Sequence, residues 1–292
     1  MTPRISVIIP FYGTNVSQLK ECIASLQAQT IGWQPLEAIV IDNNPQPALV
    51  LEPGSVSAVL HEPKPGSYAA RNAGVRKASA QIVAFLDADC VAAPDWAAKI
   101  VERLDNDSAA TIIAGYIQPT YRNPQRPNAV EVYDSSVHMR QKYYVEVRHF
   151  GATANLAARK SVFDEVGCFN DSMLSGGDRE WCERAYERGY GVRYAEDIVV
   201  FHPARHTLAG AMTKGRRLVG REVFYARQQK LAILRALYHE VWFACSRLVL
   251  VWRRRKDVGV VAAARGLGVV VIVFLARCDQ VWKTRHGGGF VR

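Results

Sequence analysis

Asp87 and Asp89 stand two residues apart at the end of the apolar run Ile82-Val83-Ala84-Phe85-Leu86. A run of that length reads as a strand that delivers both carboxylates to one sheet edge. Carboxylates so placed hold a hard divalent cation such as Mg²⁺ or Mn²⁺, and the cation can clamp a diphosphate. Acidic pairs are common in turns, so the weight of this one depends on its company. Asp178 follows Gly176-Gly177 and opens a helix, whose N-terminus favours the ionised form. A carboxylate there can accept a proton from an attacking hydroxyl, or it can serve as a plain helix cap. Glu180 is the second candidate acid, or a residue that orients a substrate or anchors the loop. His202, in Val199-Val200-Phe201-His202-Pro203, offers an imidazole to the metal or the diphosphate, or a structural contact. Asp42 could bind a uracil ring N–H or a ribose hydroxyl, or form the turn before Asn43-Asn44-Pro45. Arg71 could pair with phosphate through its planar fork, or be a solvated helix charge. Trp181 suits a sugar face and a core equally. Arg205 and His206 are weaker phosphate candidates.

These residues need elements to position them. Ile5–Ile9 reads as a strand broken at Pro10, and 16–29 as a helix with Leu19, Ile23 and Leu26 on one face. Strands follow at 36–41, 56–60 and 82–86. The helices between them fall within 66–79 and at 94–104. This alternation predicts a mostly parallel sheet covered by helices, with Pro10–Tyr12, Asp42 and Asp87–Asp89 gathered at the strand C-termini. Further on, 111–117 reads as a strand, 130–144 as one helix and 151–157 as a buried strand. A short helix spans 161–166, closed by Gly167. A charged helix starts near Asp178 and ends at Gly189, and strands follow at 192–194 and 198–201.

The net charge of +10 is unevenly spread. From Arg205 onward there are 18 Lys/Arg against 4 Asp/Glu, while the first 204 residues hold 19 against 23. The basic part contains the stretch Lys214, Arg216, Arg217, Arg221, Arg227 and Lys230, the cluster Arg253-Arg254-Arg255-Lys256, and two apolar runs, 241–252 and 258–276. The second run is just long enough to span a bilayer. Its central Arg265 costs about 2.5–3.5 kcal/mol on insertion scales, and basic residues flank both ends. The expectation is therefore helices lying on an anionic membrane surface. A soluble helical subdomain and a true span are the alternatives. Nucleic acid is not expected as a partner, because basic residues alternate with apolar runs and no recognition motif appears. No secretory signal precedes the first strand, and the six scattered cysteines form no Cys-x-x-Cys pair. Both features point to a cytoplasmic protein, peripheral on the inner face of the membrane.

Eight signatures fall in one order: Ile5-Ser6-Val7-Ile8-Ile9-Pro10-Phe11-Tyr12, Val40-Ile41-Asp42-Asn43, Gly66-Ser67-Tyr68-Ala69-Ala70-Arg71-Asn72-Ala73-Gly74, Phe85-Leu86-Asp87-Ala88-Asp89, Gly151-Ala152-Thr153-Ala154-Asn155-Leu156, Gly167-Cys168-Phe169, Gly176-Gly177-Asp178-Arg179-Glu180-Trp181 and Phe201-His202-Pro203. In this the chain resembles family 2 glycosyltransferases of the GT-A fold over residues 4–205. The resemblance implies an α/β, Rossmann-like mixed sheet as catalytic domain (1–205), followed here by a helical basic and apolar extension (206–292). It implies inverting transfer of a sugar from a nucleoside-diphosphate donor, a UDP-sugar being favoured. Mn²⁺ or Mg²⁺ would sit on Asp89, with Asp87 facing the ribose or sugar. The nucleotide base would meet Pro10, Tyr12 and Asp42, and Arg71 would lie near base and phosphates. The family's base sits in a Glu-Asp pair that here reads Gly177-Asp178, so the Glu is missing and the Asp kept.

The leading expectation is a metal-dependent transferase acting on a glycan or lipid-linked acceptor in cell-surface polysaccharide synthesis. Transfer to a polyprenyl phosphate is a variant that needs no general base. A catalytically silent scaffold is the alternative of another class. A nucleotidyltransferase would need a phosphate-cradling Gly-rich loop that Pro10-Phe11-Tyr12-Gly13 does not supply. The sugar, the linkage and the oligomeric state are not written in the sequence.

Overall fold

The computed structural model describes residues 2–107, 111–226 and 232–285. Arg227 and Lys230 of the basic stretch lie outside them. The first part alternates as expected: β1 (Ile5–Phe11), α1 (Val16–Gln27), β2 (Leu36–Asp42), β3 (Ala58–His61), α2 (Ser67–Lys77), β4 (Ile82–Leu86), β5 (Val91–Ala92) and α3 (Trp96–Asn106). There follow β6 (Ile112–Thr120), α4 (Ala129–Val137), α5 (Gln141–Arg148), β7 (Asn155–Arg159), α6 (Lys160–Val166), α7 (Gly177–Glu187) and β8 (Val192–Pro203). The last helices are α8 (Leu208–Ala226), α9 (Ala232–Arg253), α10 (Arg255–Val258) and α11 (Val260–Arg285).

The strands form one mixed sheet in the order β3-β2-β1-β4-β7-β6-β8-β5. β3, β2, β1 and β4 run parallel, and β7 enters antiparallel between β4 and β6. β1, β2 and β4 are mostly aliphatic without alternation because both their faces are covered, whereas edge strand β3 alternates; Ile5, Val7, Ile8, Ile9, Ile39, Val40 and Ile41 have no exposed surface. α2 lies so close to this sheet that a Cβ on Gly74 would come within 2.4 Å of Ile8 Cγ2 and 3.0 Å of Ile41 Cδ1. Glycine therefore sets the helix-to-sheet distance there.

Three expectations needed revision. Pro10 does not end β1, which continues in register with β2 to the pair Phe11↔Asp42. The Phe11 carbonyl accepts from Asn43 N–H on the β2 side, so residue 10 presents its ring nitrogen to the other side, where pairing with β4 stops at Ile8. The missing N–H costs no ladder bond. The single helix expected over 130–144 is two, parted at Met139, whose φ is +57°. α4 buries Val130, Val132 and Tyr133, whereas α5 buries Gln141 and Val145; these are two apolar faces serving two cores. The two short strands expected over 192–201 are the single strand β8, and two-residue β5, which the reading omitted, pairs with it.

The chain clusters into two compact units. The first holds Met1–Gln118, Gln141–Met173 and Gly177–His202, and the second Pro119–Arg140, Leu174–Gly176 and Pro203–Arg292. In the second unit Asn128 and Glu131 form a reciprocal capping box at the start of α4. Val132, Tyr133, Ala211, Val251, Val270 and Val273 make its core, and Gly266 lets α11 approach Val251.

Candidate active site

Parallel pairing puts the C-termini of β1, β2, β3 and β4 on one edge, and side chains of the β2 loop tie it to the loops that leave β1 and β3. Asn44 accepts from Gly13 N–H at 2.9 Å and donates to Gly13 carbonyl at 3.3 Å. Asn43 donates to the Glu62 and Lys64 carbonyls at 2.7 and 2.8 Å and accepts from Gly66 N–H. Asp42 is buried beneath this loop. Its Oδ1 accepts from Asn44 N–H and Asn44 Nδ2–H, and its Oδ2 from Ala48 and Leu49 N–H at 2.7 and 2.9 Å. Burial pulls this carboxyl upward, but the backbone donors of Ala48, Asn44 and Leu49 outweigh it and hold the group below its usual range. A carboxylate offers about four acceptor positions, and four donors fill those of Asp42. Asp42 therefore shapes the loop that follows it. Pro10 lies at the end of β1, and Tyr12, just past it, has an exposed ring.

Arg71 points from α2 to the mouth of β4 and is almost fully buried, with Nη2 2.6 Å from Asp87 Oδ1. The pair neutralises one carboxylate of the Asp-x-Asp element and fixes its rotamer. The next residue, Asn72, clamps the backbone of Phe169 with bonds of 2.9 and 3.0 Å. That clamp explains why the Arg71-Asn72 and Gly167–Phe169 signatures occur together.

Asp89 is the more exposed of the two half-buried carboxylates. Its Oδ1 lies 3.8 Å from Nε2 of buried His202, at the end of β8. Asp89, Cys90 and His202 are the cluster that can share a cation among the described residues, with donor atoms within 4.8 Å of one another. The donors differ in fitness. Burial, then the charges of Asp89 and Asp87, push the Cys90 thiol well above its usual value. The Asp89 carboxylate oxygen and the His202 imidazole nitrogen are the harder donors of the three.

Asp178 sits in the first turn of α7, after Gly176 at φ +77°. Its Oδ1 accepts from Arg179 N–H at 2.9 Å and from the Tyr68 hydroxyl at 3.2 Å. Burial, then the Asp178 charge, keeps the Tyr68 phenol protonated far above its ordinary value. Glu180 is engaged elsewhere. Arg184 Nε meets its Oε1 at 2.6 Å, and the same guanidinium donates to the Val166 and Cys168 carbonyls at 2.6 and 2.7 Å. Glu180 thus anchors the chain that leaves α6. Trp181 is fully buried, stacked on Phe163 with its N–H on the Gly167 carbonyl, and is a core residue. Arg205 pairs with Asp134 in the second unit.

Sequence reading gathered Pro10–Tyr12, Asp42 and Asp87–Asp89 at one sheet edge and named Arg71, Asp178 and His202 as site candidates, but it missed Tyr68, Asn43 and Asn44 as organisers. The signal for Tyr68 was its spacing. It precedes Arg71 by three residues, which puts both on one face of α2.

The model of the family described as "Glycosyl transferase family 2" matches residues 6–167. A glycosyltransferase, AglE, of Haloferax volcanii is 32% identical over 210 residues, covering 70% of this chain and 68% of its own length. A glucosyl-dolichyl phosphate glucuronosyltransferase of the same organism is 26% identical over 68% of this chain and 69% of its own. The pre-mycofactocin glycosyltransferase of Mycobacterium tuberculosis is 28% identical over 76% of this chain but only 46% of itself. Among solved structures, the mannosyltransferase PcManGT of Pyrobaculum calidifontis, in complex with GDP-Man and Mn²⁺, superposes with a TM-score of 0.60 at 17% identity. The match covers 97% of this chain and 88% of that one, and it shows a shared fold.

Proposed function

The chain belongs to glycosyl transferase family 2, and from that premise we propose that it moves a sugar, with inversion, from a nucleoside diphosphate to a hydroxyl of a glycan or lipid-linked acceptor. One observation carries the reading. Contacts run without interruption from Asp178 through Tyr68 and Arg71 to Asp87, two residues from the Asp89–His202 pair. This run of contacts supports placing a base and a cation site on the same sheet edge.

Asp89 and His202 would hold Mn²⁺ or Mg²⁺, which when bound neutralises charge building on the leaving diphosphate. Asp87, held by Arg71, presents its second oxygen to the ribose or sugar hydroxyls. The Gly13, Asp42–Leu49 and Glu62–Gly66 loops, tied by Asn43 and Asn44, shape the place of the nucleotide base beside Pro10 and Tyr12. Asp178 takes the acceptor proton as the hydroxyl attacks, the step a general base accelerates by about 10²–10⁴. Glu180 keeps the loop before α7 in place. The GDP-Man and Mn²⁺ of PcManGT support a nucleotide-sugar donor and a divalent ion for this chain, while a UDP-sugar is the alternative to be tested against it. The dolichyl phosphate-linked substrate in the name of the Haloferax relative supports a lipid-linked acceptor.

Membrane attachment is the second part of the proposal. Along α9 the exposed residues Tyr238, Val241, Trp242, Val249 and Trp252 recur at helical spacing. On α11 the exposed Val261, Val271, Ile272, Leu275 and Trp282 do the same. Basic residues follow at Arg253–Lys256. Apolar stripes with tryptophan and nearby cations suit the plane of an anionic bilayer at its cytoplasmic face.

The test is calorimetric titration of UDP and GDP, with and without Mn²⁺, into wild type and Asp89→Ala. Mn²⁺-dependent binding of one nucleotide, abolished by the substitution, is the expected outcome. No binding to a folded wild type would favour a silent scaffold instead.

A further inference from the structure

We infer that Tyr68 is a positioning residue for the base, built into the space that glycine leaves at position 177. The inference rests on the reading of Asp178 as general base. Tyr68 is 5% exposed and lies between two functional groups. Its hydroxyl donates to Asp178 Oδ1, and its ring carries the Arg71 guanidinium 5.6 Å from the centroid. Arg71 in turn holds Asp87. A Cβ on Gly177 would stand 2.8 to 3.0 Å from three carbons of the Tyr68 ring, nearer than side chains pack. Gly177 has no left-handed φ to demand glycine, so the neighbouring ring is what excludes a side chain there.

This arrangement has a chemical consequence. Both protein donors that address the Asp178 carboxylate, Arg179 N–H and the Tyr68 hydroxyl, use Oδ1. Oδ2 keeps its acceptor capacity for the substrate hydroxyl. The protonated phenol can donate but not compete for the substrate proton, so it fixes the carboxylate without replacing it. The same ring touches the guanidinium that holds Asp87, so the donor and acceptor sides of the reaction share one support.

The experiment measures steady-state release of nucleoside diphosphate from UDP-glucose, UDP-N-acetylglucosamine and GDP-mannose, with octyl glucoside, octyl galactoside or water as acceptor. It compares wild type, Tyr68→Phe, Asp178→Asn and the double variant. Removal of a hydrogen bond to a charged group predicts a fall in kcat of about tenfold for Tyr68→Phe, with both KM values within about twofold. Mn²⁺-dependent nucleotide binding stays unchanged. In the Asp178→Asn background the second substitution removes no more than about twofold further, because the hydroxyl acts through that carboxylate. Gly177→Ala, which displaces the ring, reproduces the loss in kcat. A Tyr68→Phe enzyme with wild-type kcat, or a full tenfold loss added to Asp178→Asn, would overturn the inference while leaving the base reading intact. An Asp178→Asn enzyme with wild-type turnover, or a wild type that turns over none of these donors, would remove that reading and this inference together.

Discussion

Four donors converge on the Asp42 carboxylate and hold it beneath the loop that follows β2. Asp42→Asn would turn an amide N–H toward backbone donors and leave them unsatisfied, at a cost of about 1–3 kcal/mol. Because folding lowers this carboxyl's pKa, its stabilising contribution is complete above the unfolded value of about 3.9 and is lost as pH falls through the lower folded value. The stability gap between wild type and variant in urea melts should therefore be constant from pH 7 to 5 and narrow only below about pH 4. A gap that is already closing near pH 6 would contradict the assignment. The residue type at position 42 was legible in the sequence, as was its place at a strand end. Its partners were not, because Ala48 and Leu49 contribute only backbone N–H groups, which carry no residue signature. Glu180 is a similar case. Arg184, one turn on, meets both of its oxygens, a pairing that an acid two residues after Asp178 does not announce by itself.

Among elements, α9 and α11 are joined by a pair that composition alone does not reveal. Arg277 and Glu240 are both about 1% exposed and meet through two parallel hydrogen bonds, and Arg277 Nη1 also donates to the Gly215 carbonyl of α8. Breaking a buried pair from one side is far costlier than replacing both partners by apolar groups. Glu240→Gln should destabilise the helical unit by about 3–5 kcal/mol in thermal or urea unfolding. The double variant Glu240→Gln with Arg277→Met should recover much of that loss. Equal losses in the single and double variants would mean that the helices are held by packing alone. The pair also bears on the run 258–276, which scanned as long enough to span a bilayer. α11 is the helix among the described residues that meets that length and composition. One of its faces, carrying Val270, Val273 and Arg277, is buried inside the protein.

For the molecule as a whole, the division of charge bears on the proposed attachment to an anionic surface. Residues 205–292 carry a local +14, while the first 204 carry −4. Basic residues near an anionic surface contribute about 1 kcal/mol each, and salt screens them. The protein should float with vesicles containing one-third phosphatidylglycerol at 0.1 M salt and be released at about 1 M. Trp242→Ala combined with Leu275→Ala should weaken binding at the lower salt. Retention after salt and alkaline washes would assign α11 a true span, and failure to bind at low salt would return the helices to a soluble role.

The sequence by itself determined the family, the alternation that builds the parallel half of the sheet, and the arrival of Asp42, Asp87 and Asp89 at its C-terminal edge. Those follow from local periodicity and strand ends, which neighbouring residues encode. The tertiary structure decided the rest. It put β7 antiparallel beside β4, joined Arg71 to Asp87 and Tyr68 to Asp178 across 16 and 110 residues, and filled the space above Gly177 with an aromatic ring. Such pairings depend on which surfaces meet after the chain has closed on itself, and the geometry of that meeting has no local trace.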